Sequence, residues 1–133
     1  MYVLDTGICS YLMKRSHQAL IERVKAFAPR ELKISVVTLF ELEYGILRSG
    51  RPEQLRLVVG AFLENVEMLT WTPPAASEAG AVRAELAAAG SPIGSYDLLI
   101  AGHARSLGAT LVTNNRQEFS RVRGLQLEDW MGA

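Results

Sequence analysis

The chain has 133 residues, 49% of them hydrophobic and 21% charged, which is one domain by size and enough to bury a core without staples. Its 14 basic and 14 acidic side chains cancel, so there is no global electrostatic footprint for nucleic acid, and any such binding must use a local patch. No apolar run approaches the ~20 residues that span a bilayer, and an acid as early as Asp5 argues against a signal peptide. The single cysteine, Cys9, excludes an internal disulfide and leads us to expect a reducing, cytoplasmic setting.

Tyr2-Val3-Leu4 reads as a short strand that stops at Asp5-Thr6-Gly7. Asp5 therefore falls at a strand's C-terminal end, where parallel α/β sheets bind ligands. It equally suits a helix cap, as does Thr6, for a helix from Ile8 to about Lys14. Ser16 to Ala28 has an amphipathic helical pattern (Leu20, Ile21, Val24 and Phe27 against Glu22, Arg23 and Lys25) that Pro29 ends. Leu32 to Ser35 alternates like a second strand. Val36 to Ser49 is a largely apolar helix with Gly50 as its expected stop, and Pro52 opens another helix reaching about Asn65.

Val66 to Trp71 is a third strand candidate, and Pro73-Pro74 is expected to break the chain there. Ala75 to Ala89 has high helix propensity and is followed by Gly90. Ser95, after a loop marked by Ser91, Pro92 and Gly94, is the expected cap of a helix running to Ser106, and Gly108 ends it. Ala109 to Val112 is a fourth strand leading into the polar turn Thr113-Asn114-Asn115-Arg116, and Leu125 to Leu127 offers a short edge strand. Strands alternating with helices predict a mainly parallel sheet of four to five strands covered by helices on both faces, a three-layer α/β sandwich over residues 1–133.

Isolated acids recur at element ends. Asp97 lies in the first turn of the Ser95–Ser106 helix, where the dipole alone justifies an acid. On the Val36–Ser49 helix, Glu41 and Glu43 point roughly 200° apart, so one of them at most faces a given site. Glu41 shares its strip with Thr38, Gly45 and Arg48, whereas Glu43 sits among Leu39, Ile46 and Leu47, which is awkward for a charge. Glu41 is the better site candidate. Were Asp5, Glu41 and Asp97 to meet, each pair at ~4 Å would repel by roughly 4 kcal/mol at an effective dielectric of ~20. Such a cluster needs a cation or shifted pKa values. Oxygen ligands with only His17 and His103 as scattered histidines select Mg²⁺, with Mn²⁺ as its substitute, over zinc.

The chain resembles the VapC-type toxin ribonucleases of the PIN-domain family. The resemblance rests on Val3-Leu4-Asp5-Thr6, on Ser35 to Gly45, on Arg83-Ala84-Glu85-Leu86, on Ile93 to Ala104 and on Leu111-Val112-Thr113-Asn114-Asn115, in this order. It implies Asp5, Glu41 and Asp97 as metal-holding catalytic acids, in agreement with the helix-face argument. The family's fourth acidic position falls at Asn114-Asn115 here, a departure that leaves Asn115 as a contact to a water on the metal and Glu118 as the source of the missing charge. Thr6, Thr38, Ser95 and Thr113 are candidates to hold the acids or touch phosphate. The implied activity is Mg²⁺-dependent endoribonuclease cleavage that arrests translation. The turn Val112-Thr113-Asn114-Asn115 before Glu118-Phe119 is similar to members that cut initiator tRNA in the anticodon loop. The resemblance also implies a homodimer, a small VapB-type antitoxin that binds operator DNA on the pair's behalf, and no membrane partner. An apolar surface on the Val36–Ser49 helix and Leu55–Phe62 is where such an antitoxin is expected to lie.

A haloacid-dehalogenase-type phosphatase needs a second acid where Gly7 stands, a receiver module needs an adjacent acid pair and a late lysine, and the Gly-x-Gly-x-x-Gly turn of dinucleotide binders is missing. The remaining rival is a catalytically weak PIN fold that binds RNA or a partner. The retained acids favour cleavage.

Overall fold

A computed structural model describes residues 1–132. Its centre is β1 (Tyr2–Leu4), flanked by β2 (Leu32–Ser35) and β3 (Glu67–Leu69) on one side and by β4 (Thr110–Val112) and β5 (Gln126–Glu128) on the other. The order is β3-β2-β1-β4-β5 and every pairing is parallel. The chain thus builds outward from β1 through β2 to β3, then returns to β1's other edge. That reversal places a crevice between the C-terminal ends of β1 and β4, the usual ligand position in open α/β sheets.

Among the described residues, seven α-helices cover the sheet: α1 (Thr6–Lys14), α2 (Gln18–Lys25), α3 (Val36–Arg48), α4 (Pro52–Leu63), α5 (Pro73–Ala88), α6 (Ser95–Ser106) and the single turn α7 (Arg116–Phe119). Strand alternation sends neighbouring side chains to opposite layers. Val3 and Leu111 join a core with Ala79, Val82 and Leu86 of α5, Ile100, Ala101 and Ala104 of α6, and Phe119 of α7. Leu4 and Val112 join another with Ile8, Cys9 and Leu20, closed by Trp130 stacked on Phe27. The three-layer sandwich expected from the alternation of strands and helices is the architecture found. No helix among the described residues is long and apolar enough to cross a membrane.

Several local expectations are corrected. Pro73-Pro74 does not break the chain but opens α5, because a proline at the first helical positions gives up an N–H that has no partner there; Thr72 caps it by accepting from the Ala75 N–H at 3.2 Å. Gly94, not Ser95, occupies the cap position of α6, and Ser95 is its first residue. The helix expected over Ser16 to Ala28 is confined to Gln18–Lys25. Ser49, rather than Gly50, closes α3, its hydroxyl donating to the Ile46 carbonyl at 2.8 Å. Gly90 and Gly108 do act as helix stops, at φ +67° and +62°.

Candidate active site

The residues after β1 and β4 meet at the sheet's reversal. Asp5 caps α1 through Oδ1, which accepts from the Ile8 N–H at 2.7 Å, while its Oδ2 accepts from the Thr113 hydroxyl. The Thr113 Oγ1 in turn accepts from the Asn115 N–H at 2.9 Å. Asp5 is 6% exposed. Burial pushes its carboxyl above the usual range, the two hydrogen bonds oppose the rise, and Glu41 and Asp129 add to it.

The next residue, Thr6, reaches α3, the helix that carries Glu41. Its hydroxyl donates to Glu41 Oε1 at 2.7 Å and lies 3.0 Å from the buried Thr38 hydroxyl, one turn before Glu41 on α3. Helix α3 begins where it does because Ser35 Oγ accepts from the Val37 N–H at 3.1 Å. Glu43 points elsewhere, to Arg56 of α4 at 3.1 Å, which supplies the partner its apolar surroundings required.

Asp97 comes from the first turn of α6 and is half-buried. Its pKa is raised from 3.8 to about 7, first by burial, then by a hydrogen bond to Glu118 and by the charges of Glu118, Glu41 and Asp5. Glu118 is carried by α7, a helical turn that follows the polar turn Thr113–Arg116 and was not expected from the sequence. Its Oε1 accepts from the Gly94 N–H at 2.7 Å and its Oε2 from the Asn115 amide. A side chain at position 94 would crowd the Asp97 and Glu118 oxygens, at 3.3 and 3.5 Å from its Cβ, so the glycine leaves these two acids their space. The sequence reading gave Gly94 no role beyond a loop signal. Ser95 is exposed and makes no side-chain hydrogen bond among the described residues.

The structure therefore forms two hydrogen-bonded groups, Asp5 with Thr113 and Glu41 with Thr6 and Thr38, joined through the adjacent residues Asp5 and Thr6, and the charges of Asp5, Glu41 and Glu118 all act on Asp97. None of Asp5, Glu41, Asp97 or Glu118 forms an ion pair with lysine or arginine among the described residues, whereas Glu43, Glu67, Glu78 and Glu85 each have one. Oxygen donors alone, with burial and neighbouring carboxylates raising the pKa values of Asp5 and Asp97, fit a hard divalent ion. As arranged, no three acidic, histidine or cysteine side chains among the described residues enclose an ion by themselves.

A PIN domain model matches residues 2–125. The chain belongs to the PIN-domain family and, within it, to the VapC-type toxin ribonucleases. It is 43% identical over 129 residues to the tRNA(fMet)-specific endonuclease VapC of Shigella flexneri, covering 97% of each chain. The DNA-bound VapBC of Salmonella typhimurium superposes with TM-score 0.92 at 43% identity over 97% of both chains. VapBC2 of Rickettsia felis, bound to a DNA fragment from its promoter, superposes with TM-score 0.91 at 37% identity over 97% of this chain and 98% of that one. The protein is a nuclease, a hydrolase of phosphodiester bonds.

Proposed function

We propose that this nuclease is the toxin of a type II toxin–antitoxin pair, a Mg²⁺-dependent endoribonuclease that cuts initiator tRNA in the anticodon loop and so arrests translation in the cytoplasm. Residues 1–133 act as a single PIN domain. The observation that carries the reading is the gathering of acids without a basic partner at the β1–β4 crevice: Asp5 held by Thr113, Glu41 held by Thr6, and Asp97, whose carboxyl is raised first by burial and then by Glu118, Glu41 and Asp5. The substrate assignment draws its support from the tRNA(fMet)-specific Shigella relative.

In this reading Asp5, Glu41 and Asp97 hold the ion, with Glu118 as the fourth carboxylate and Asn115 keeping Glu118 in place. When bound, Mg²⁺ or Mn²⁺ offsets the phosphate's charge and acidifies the attacking water. The chain's own residues do the positioning. Thr113 and the Ile8 N–H orient the two oxygens of Asp5, and Thr6 orients Glu41. Thr38 steadies Thr6, and exposed Ser95 is free to contact a backbone phosphate at the α6 N-terminus.

For partners we propose a VapB-type antitoxin, through which operator DNA is bound, and a second copy of the toxin. The DNA-bound relatives support the first. The surface supports a partner as well: Phe40, Tyr44 and Leu47 on α3 and Leu57 on α4 are exposed at 52%, 60%, 72% and 77%. A groove of about 580 Å³ between α1, α2 and α4 is lined by Leu12, Met13, Val24, Phe27, Val58 and Phe62 and by none of the acids.

The test is to map new RNA 5′ ends after brief expression, then repeat the cleavage with purified protein and tRNA. A single cut in the initiator tRNA anticodon loop, abolished by EDTA and restored by Mg²⁺, is expected. Cleavage that persists in excess EDTA overturns the ion's role, and intact initiator tRNA beside another cut RNA overturns the substrate.

A further inference from the structure

Helices α3 and α6 each carry one of the acids, and two contacts show how they cross. Ser35, at the start of α3, meets His103 near the end of α6, with Oγ 2.7 Å from the ring Nδ1. Phe40, further along α3, meets Tyr96 at the start of α6, ring centroids 5.1 Å apart. Position numbers rise on one helix as they fall on the other, so the helices cross antiparallel. Glu41 lies six residues beyond Ser35 and Asp97 six residues before His103. At 1.5 Å per residue both acids sit about 9 Å from that contact along their own helices. Equal offsets on antiparallel helices bring the backbone positions of the two acids to about the same level.

The His103 contact is built to hold. The ring is 2% exposed, and Ser35 is fully buried. Ser35 Oγ already accepts the Val37 N–H, so its single proton is free for Nδ1. The ring also hydrogen-bonds the Thr70 main chain just past β3, and Trp71 packs edge-on against it at 5.2 Å between centroids. One imidazole thus ties α6 to the cap of α3 and to the end of β3.

We propose that His103 is a positioning residue for the nuclease site: with Ser35 it pins the crossing of α3 and α6 and so sets the gap between Glu41 and Asp97 that receives the divalent ion. This rests on the metal-dependent reading given above. Loosening the pin lets the like-charged acids move apart, which weakens the ion's hold before it affects the chemistry.

The experiment titrates Mn²⁺ into the full chain, reading free ion by electron paramagnetic resonance, beside single-turnover tRNA cleavage at increasing Mg²⁺. The chains compared are wild type, Ser35→Ala, Ser35→Thr, His103→Leu and Val59→Ala, the last a core truncation on α4 that loosens packing against Leu42 and Ile46 of α3 without touching the Ser35–His103 hydrogen bond. Ser35→Ala and His103→Leu are expected to weaken Mn²⁺ binding about 10-fold, with cleavage largely restored at saturating Mg²⁺. Ser35→Thr keeps the hydroxyl and retains wild-type affinity, and Val59→Ala loses stability without losing affinity. Should His103→Leu not fold, the Ser35 pair decides. Wild-type Mn²⁺ affinity in folded Ser35→Ala, or an equal loss in Val59→Ala, overturns the inference while leaving the functional reading in place. A wild-type chain that neither binds Mn²⁺ nor cleaves overturns both.

Discussion

Thr113 donates its hydroxyl proton to Oδ2 of Asp5 across the seam where β4 meets β1. Both side chains are buried, so no water replaces the bond if the donor is removed. Thr113→Val keeps the shape and deletes the donor, leaving a buried carboxylate oxygen unsatisfied at a cost of about 2 kcal/mol. Because that bond lowers the Asp5 pKa, its loss lets burial push the carboxyl further up. Thermal denaturation should show the lower stability, and the acid limb of the cleavage pH profile should move to higher pH. Thr113→Ser, which keeps the hydroxyl, should change neither.

Asp97 makes the ion-free protein sensitive to pH in a direction opposite to that of a salt-bridged carboxylate. Its folded pKa of about 7 lies above the unfolded 3.8, so across that window the native state binds the extra proton. Stability from this group is in place below about pH 4 and is lost as pH rises through about 7. In EDTA, the melting temperature should therefore contain a component that falls between these limits. Glu118→Gln, which removes the charge that follows burial in raising Asp97, should flatten it. Mg²⁺ added at pH 7.5 should recover the lost stability in wild type and much less in Asp97→Asn. A melting temperature insensitive to both Mg²⁺ and Glu118→Gln would contradict the proposed ion site.

The acids were legible in the sequence because each stands where local rules already place a charge: Asp5 at a strand end, Asp97 in a first helical turn, Glu41 on the polar strip of an apolar helix. The parallel sheet followed from element order. What could not be read were choices made by tertiary contact. Glu118 acquires its inward direction from α7, one turn whose Phe119 is anchored in the core, and four residues carry too little periodicity to announce a helix. Ser95 has the right chemistry for a cap, yet Gly94 takes the position and its N–H goes to Glu118, 24 residues away. His103 reads in the sequence only as a scattered histidine because its partner, Ser35, is 68 residues distant.

Glu41 and Glu43 should separate cleanly in function. Glu43 lies on the other side of α3, paired with an exposed Arg56, an arrangement that solvent screens and that contributes little to stability. Glu43→Gln should leave tRNA cleavage and Mg²⁺ dependence near wild type, with a small fall in melting temperature. Glu41→Gln should lose cleavage by orders of magnitude while the fold persists. Equal losses would place the site on the wrong face of α3.

A close approach between α5 and α6 bears on the same site from a distance. Gly102 of α6 faces Ala79 of α5, and a Cβ at position 102 would lie 2.5 Å from the Ala79 Cα, 2.6 Å from its N and 2.8 Å from its Cβ. Those neighbours are mostly main chain and cannot swing aside, so Gly102→Ala must push the two helices apart. Overpacking of this kind costs about 1–3 kcal/mol or more, near 4 °C of melting temperature per kcal/mol for a domain of this size. Since α6 also carries Asp97, the displacement should lower cleavage even well below the melting point, with more Mg²⁺ needed for half-maximal rate. Trimming the neighbour should not help: Ala79→Gly removes only the atom at 2.8 Å and leaves the two closer ones in place. Recovery of stability in the Gly102→Ala, Ala79→Gly double variant would show that side-chain crowding, rather than the approach of the two backbones, sets the spacing of α5 and α6.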